Sequence, residues 1–192
     1  MRQKSVEDLY KILEKLKCSQ EFQFLSKPVP INYMCGIYFF FDKITPILSK
    51  QYKITYIGIS SNNKNNRLEK HQKGNSSFRD HVKEALSNRY SSSEKCEIDD
   101  YIHHLPYLFV TIKNTEELSR IEKGTIEIIS NYNKQPIHIP RKEWLGYNHK
   151  NDKIIKSHIW NLHYTGNYSD KKDYNQILML LEEYIEKMIG QN

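Results

Sequence analysis

Two tyrosines held in mirrored tripeptides, Gly36-Ile37-Tyr38 and Tyr56-Ile57-Gly58, are the first residues in this sequence whose arrangement could do chemistry. Two phenols beside two residues without side chains could make a shallow floor that a backbone phosphate approaches closely. Arg67 and His71 follow, four residues apart, so on a helix they project from one face. A guanidinium there offers a planar fork that matches phosphate oxygens. Farther along, Glu122 falls inside an apolar stripe. A lone carboxylate on a packing face costs several kcal/mol unless it is paired or bound to a cation. Taken singly, each feature has a plainer meaning: a cross-strand Tyr pair worth ~0.2–1 kcal/mol, a solvated basic helix face, and an ion-paired glutamate.

The elements that must position these groups can be read from periodicity. Residues 35–41 and 53–59 are rich in Ile, Phe, Tyr and Thr, and the stretch between them contains Asp42, Pro46 and Ser49, the pattern of a β-hairpin. The mirrored tripeptides predict a register with Tyr38 opposite Tyr56 and Ile37 opposite Ile57, if no bulge intervenes. Ile37, Phe39, Ile57 and Ile59 then face a core, while Gly36, Tyr38, Tyr56 and Gly58 share the other face. Upstream, Val6, Leu9, Tyr10, Leu13 and Leu16 predict a surface helix over 5–17, and Pro28 and Pro30 an extended entry to the hairpin. Downstream, an Asn or Ser at 60–63 can cap a helix running to Lys73, with Gly74 at its end.

A second helix starts at Ser76 or Ser77 and buries Phe78, Val82, Ala85 and Leu86, which leaves Arg79 and Lys83 for phosphates. Residues 98–104 form a helical turn ending before Pro106, and Tyr107 to Ile112 make a third strand, placed in the middle of the sheet. Asn114 and Glu117 stand at capping-box spacing before a helix whose stripe is Leu118, Ile121, Thr125, Ile126, Ile128 and Ile129. That helix ends around 131–136. Tyr174, Ile177, Leu178, Leu181, Tyr184, Ile185 and Met188 describe a last amphipathic helix, which either closes the domain or meets a second subunit.

Composition bounds the function. The 192 residues suffice for one domain with short additions. A formal charge of +6 and a pI near 9.0 favour an anionic partner. Cys18, Cys35 and Cys96 are odd in number and have no C-x-x-C spacing, so they suggest neither a disulfide framework nor a cysteine zinc site and fit a reducing cytoplasm. His103, His104, His138, His149, His158 and His163 come with neither H-E-x-x-H nor paired Cys, so they do not define a zinc centre. No apolar run approaches a membrane span, and no P-loop or G-x-G-x-x-G is present.

In order, the chain carries Gly-Ile-Tyr, a gap of seventeen residues, Tyr-Ile-Gly, then Arg67-Leu68-x-x-His71, a helix bearing Glu122, and an Asn at its end. This series resembles the GIY-YIG nuclease superfamily, which includes homing, repair and some restriction enzymes. The resemblance implies an α+β fold with a small three-stranded, mostly antiparallel sheet flanked by helices. It divides the chain into a helical extension over 1–32, a nuclease core over 33–140 and an extension over 141–192 that ends in the amphipathic helix. Within the latter, Trp144-Leu145-Gly146 and residues 157–163 are similar to the tails of some bacterial members.

As implied by the family, Tyr38 positions or deprotonates an attacking water, and Tyr56 and Arg67 steady the phosphate. His71 relays a proton or bonds Tyr38, and Glu122 anchors a single Mg²⁺ or Mn²⁺. The family Asn falls on Asn133, with Asn131 and Asn148 as alternatives. Lys64, Lys70, Lys73 and Arg79 are the expected contacts to double-stranded DNA, on which a homodimer is one arrangement. The activity implied is DNA phosphodiester hydrolysis, by a type II restriction enzyme or by a structure-specific repair nuclease. The contrasting class is a non-catalytic binding module on the same fold. The chain departs from many members at Ile59, where they carry Lys.

Overall fold

The computed structural model describes residues 2–27, 35–42, 52–60, 67–90, 95–130, 139–169 and 173–190. Pro28, Pro30, the hairpin connection, Lys64, Asn131 and Asn133 lie outside them. An opening helix, α1 (Arg2–Ser19), is followed by strands β1 (Gly36–Phe41) and β2 (Ile54–Ser60). Three helices come next, α2 (Arg67–Lys73), α3 (Ser77–Tyr90) and α4 (Lys95–His103). Strand β3 (Tyr107–Thr111) leads to α5 (Thr115–Ile129), a 3₁₀ turn (Leu145–Asn148), α6 (Asp152–Ser157) and α7 (Tyr174–Ile189). The sheet is antiparallel throughout, in the order β2-β1-β3. The α+β class read from the sequence is therefore the one observed. β3, expected in the middle, is an edge strand, partly covered by an isolated bridge between Gln23 and Tyr107. β1 takes the centre, and its all-apolar composition after Gly36 suits a strand buried on both faces.

The hairpin register differs from the expected one by two residues. Tyr38 lies opposite Gly58 and Phe40 opposite Tyr56, with an irregularity between Phe40 and Phe41 that leaves Thr55 unpaired. A shift of two preserves the faces, because side chains alternate with period two. It changes what the glycines do. A Cβ on Gly58 would stand 2.4 Å from the Tyr38 hydroxyl oxygen, and one on Gly36 would stand 2.2 Å from the Val110 carbonyl oxygen. Their missing side chains admit neighbouring groups of the same chain, and the expected open floor of glycines is covered.

Each face of the sheet has its own core. Ile37, Phe39, Ile57, Leu108 and Val110 pack against the apolar stripes of α1, α5 and α7. On the other face, Tyr38, Phe40, Tyr56 and Phe109 pack with Leu68, Phe78, Val82, Ile102, Trp144 and Trp160. The helices start where capping chemistry allows. Asn114 accepts from the backbone N–H groups of Glu116 and Glu117 at 3.1 and 3.3 Å, fixing the start of α5. α2 stops at Gly74, whose φ of 123° is open to glycine and costly for other residues.

The outer edge of β2 is closed by the C-terminal region. Asn161 pairs with Ile57 through its side chain, accepting from the backbone N–H at 3.0 Å and donating to the carbonyl at 2.7 Å. Trp160 N–H donates to the Thr55 carbonyl at 2.8 Å, and the Trp144 indole donates to the Thr55 hydroxyl at 2.9 Å.

Candidate active site

The site builds up from the face of the sheet that carries the phenols. Tyr38 is fully buried, and its hydroxyl oxygen lies 2.8 Å from Nε2 of His71, also fully buried. Tyr56 stacks on Phe78, with ring centroids 4.6 Å apart and planes 11° from parallel. The two phenol rings are 6.2 Å apart between centroids, and their hydroxyls share a hydrogen bond. Arg67, at the first turn of α2, donates to the Tyr56 hydroxyl and acts electrostatically on Tyr38 and Glu122 as well. Glu122 reaches the same point from α5. Two strands and two helices thus bring Tyr38, Tyr56, Arg67, His71 and Glu122 to one place, with the phenols and imidazole inside and the half-buried Arg67 and Glu122 at the rim.

The surroundings set the charge states. Burial first, then the neighbouring Tyr56, pushes Tyr38 well above the ordinary phenol range, with Arg67 opposing. Tyr56 is also raised by burial, opposed first by Arg67. His71 falls to about 3, chiefly through burial and further through Arg67 and Arg79, so it is neutral at pH 7. Toward Tyr38 it therefore serves as a neutral donor or acceptor. Burial raises Glu122 above the usual carboxylate range, and Arg67 pulls the other way.

This carboxylate, desolvated and incompletely offset, fits a divalent cation that shares its remaining ligands with water and substrate. Among the described residues, no cluster of three or more His, Cys, Asp or Glu could hold a metal.

Other expected residues divide. Lys70 and Lys73 are exposed on α2, and Lys73 sits 3.6 Å from Glu69. Arg79 is not available to phosphates: it is 5% exposed, donates to the His71 carbonyl at 2.9 Å and forms an ion pair with the half-buried Asp99. An arginine one turn into α3 turns inward because the end of α2 supplies an acceptor and α4 an anion. Asn148 is engaged with the Leu145 carbonyl and the Asn88 side chain, away from the cluster. Sequence reasoning missed Ser76, whose hydroxyl lies 2.8 Å from Nδ1 of His71, and Phe78, which orients Tyr56. Only their positions at the start of a helix marked them.

A small antiparallel sheet with two glycine-flanked tyrosines on one face, a basic helix after the hairpin and a carboxylate on the next helix past β3 is the arrangement that the resemblance to the GIY-YIG family leads one to expect. A family model described as GIY-YIG domain matches residues 92–191, a little over half of the chain, and the chain belongs to that family. The match takes in β3, Glu122 on α5 and the region through α7, and continues past the boundary expected at 140; both tripeptides, Arg67 and His71 precede it. No curated protein and no solved structure matches the chain.

Proposed function

We propose that the protein is a divalent-metal-dependent DNA endonuclease that hydrolyses one phosphodiester bond at the Tyr38–Tyr56–Arg67–Glu122 site. The observation that carries this reading is the convergence of five chemically complementary side chains, distant in sequence, with Arg67 and Glu122 half-buried where the cluster meets the surface. Glu122 would hold the metal, Mg²⁺ or Mn²⁺, and that ion, when bound, would supply Lewis-acid stabilisation of phosphate oxygens. Arg67 presents its fork to the phosphate at the rim and stabilises the charge that grows on the equatorial oxygens. Tyr56, held by Arg67 and Phe78, faces the attacking water, and the hydrogen-bonded phenol pair, with Tyr38 held by His71, takes up its proton. Lys70 and Lys73 give the outer face of α2 a positive surface along which a duplex backbone can lie.

The test is magnesium-dependent nicking of supercoiled plasmid. The purified protein should nick, Glu122→Ala should abolish nicking with DNA affinity retained, and Tyr38→Phe should lower it by orders of magnitude. Full activity in either variant rejects the assignment; DNA binding without cleavage by the natural chain points to the non-catalytic module. Sequenced ends separate the two enzyme readings, since fixed ends mark a restriction enzyme and cuts at flaps or branches mark a repair nuclease.

A further inference from the structure

Tyr38 and His71 are sealed from water, yet a phenol that is to accept a proton from the attacking water must first lose its own. The geometry supplies a way out. His71 Nε2 is 2.8 Å from the Tyr38 hydroxyl, its Nδ1 is 2.8 Å from the Ser76 hydroxyl, and Ser76 is partly exposed. Ser76 is itself fixed as the cap of α3, because its oxygen accepts from the Arg79 N–H at 3.3 Å. The Arg79 guanidinium holds the His71 carbonyl from the same turn, so ring and backbone of His71 are both pinned by the start of α3. We infer that Ser76 is the solvent port of a proton path, Tyr56–Tyr38–His71–Ser76, and the positioning residue that lets His71 change tautomer. The inference deepens the nuclease reading and rests on it for its role in turnover.

A hydroxyl is suited to this position because it donates and accepts. In one arrangement Tyr38 O–H donates to Nε2, and Nδ1–H donates to Ser76. In the other Ser76 O–H donates to Nδ1, and Nε2–H donates to Tyr38. Passing from the first to the second breaks the Tyr38 O–H bond and forms Nε2–H. It also breaks Nδ1–H and forms a new Ser76 O–H, while the former Ser76 proton passes to bulk water. The phenol pair is left one proton short, with its negative charge beside Arg67. Neither an imidazolium nor a serine alkoxide is required, which suits a histidine that burial keeps neutral. The pair then takes the proton of the attacking water as the water oxygen bonds phosphorus and the 3′ oxygen departs with its electron pair.

The test compares Ser76→Ala, Ser76→Gly and Ser76→Thr. Glycine is tolerated at a helix cap to within a few tenths of a kcal/mol of serine, so it removes the hydroxyl with little loss of fold. Single-turnover cleavage should fall about tenfold or more in the Ala and Gly variants and stay within about twofold in the Thr variant, as a proton-transfer role requires. DNA affinity should be the same in all four proteins. Long-range ¹H–¹⁵N spectra of His71 should show both tautomers averaged in the natural protein and one in the Ala and Gly variants. Unchanged cleavage in the Gly variant, or identical His71 nitrogen shifts with and without the hydroxyl, overturns the proton path. The spectra judge it whether or not the protein cleaves DNA; absence of nicking by the natural chain defeats only the nuclease reading.

Discussion

Replacing Gly58 with alanine isolates the contact on which the site is built. In a strand, with no positive φ to penalise a side chain, Gly→Ala would ordinarily stabilise by ~0.4–1 kcal/mol through the unfolded chain. Here the new methyl carbon would lie 2.4 Å from the Tyr38 hydroxyl oxygen and 2.5 Å from its Cζ, against ordinary contact of 3.4–4 Å. The phenol must retreat by about 1 Å in a packed interior, which breaks its bond to His71. Overpacking of this kind costs ~1–3 kcal/mol and the lost hydrogen bond about 1 kcal/mol more. For a chain of this size, ~2–4 kcal/mol lowers the melting temperature by roughly 4–16 °C. Thermal unfolding of Gly58→Ala, Tyr38→Ala and the double variant measures this directly. With Tyr38 removed the methyl has room, so Gly58→Ala in that background should be neutral or stabilising. Equal destabilisation in both backgrounds, or none in either, would refute the register and the placement of Tyr38.

Because burial penalises the ionised form of Glu122, its folded pKa lies above the unfolded one. Its charged form therefore weakens the fold once pH exceeds the unfolded value, and Glu122→Gln should melt at or above the natural protein in chelator. Divalent metal at about a hundred times its dissociation constant should stabilise the natural chain by ~2.7 kcal/mol, with no shift in the Gln variant; equal shifts would remove Glu122 as the ligand. His71 has the opposite linkage. Its folded pKa of about 3 lies below the unfolded 6.5, so its contribution is complete above 6.5 and is lost as pH falls toward 3. Urea unfolding from pH 7 to 4 should show that loss, and His71→Asn should flatten it. Arg79→Ala should destabilise by ~1–3 kcal/mol through the buried partner it strands, while the salt dependence of DNA binding keeps its slope; a slope reduced by about one would make Arg79 a phosphate contact.

The two faces of the hairpin, the start of α5 and the stripe bearing Glu122 were legible because each follows from a local rule: alternation, capping or helical period. The register was not, since a shift of two leaves every apolar residue on its proper side; only the close seating of Tyr38 on Gly58 selects it. Arg79 misled for a related reason. A basic residue early in a helix reads as exposed, and the partners that draw it inward, the His71 carbonyl and Asp99, come from two other helices. The Phe78 ring that stacks on Tyr56 is backed in turn by Trp160, and no local pattern announces the approach of Trp144 and Trp160 to β2.

The brace from Asn161 to Ile57 has a consequence for how the molecule can be shortened. An amide side chain substitutes there for a fourth strand, and it sits directly behind Tyr56 and Gly58. A fragment ending near residue 140 would keep every proposed catalytic side chain yet expose the backbone groups of β2, an invitation to pair with another copy. Such a fragment should self-associate before it can be assayed, and the shortest useful version of this protein must extend beyond Asn161.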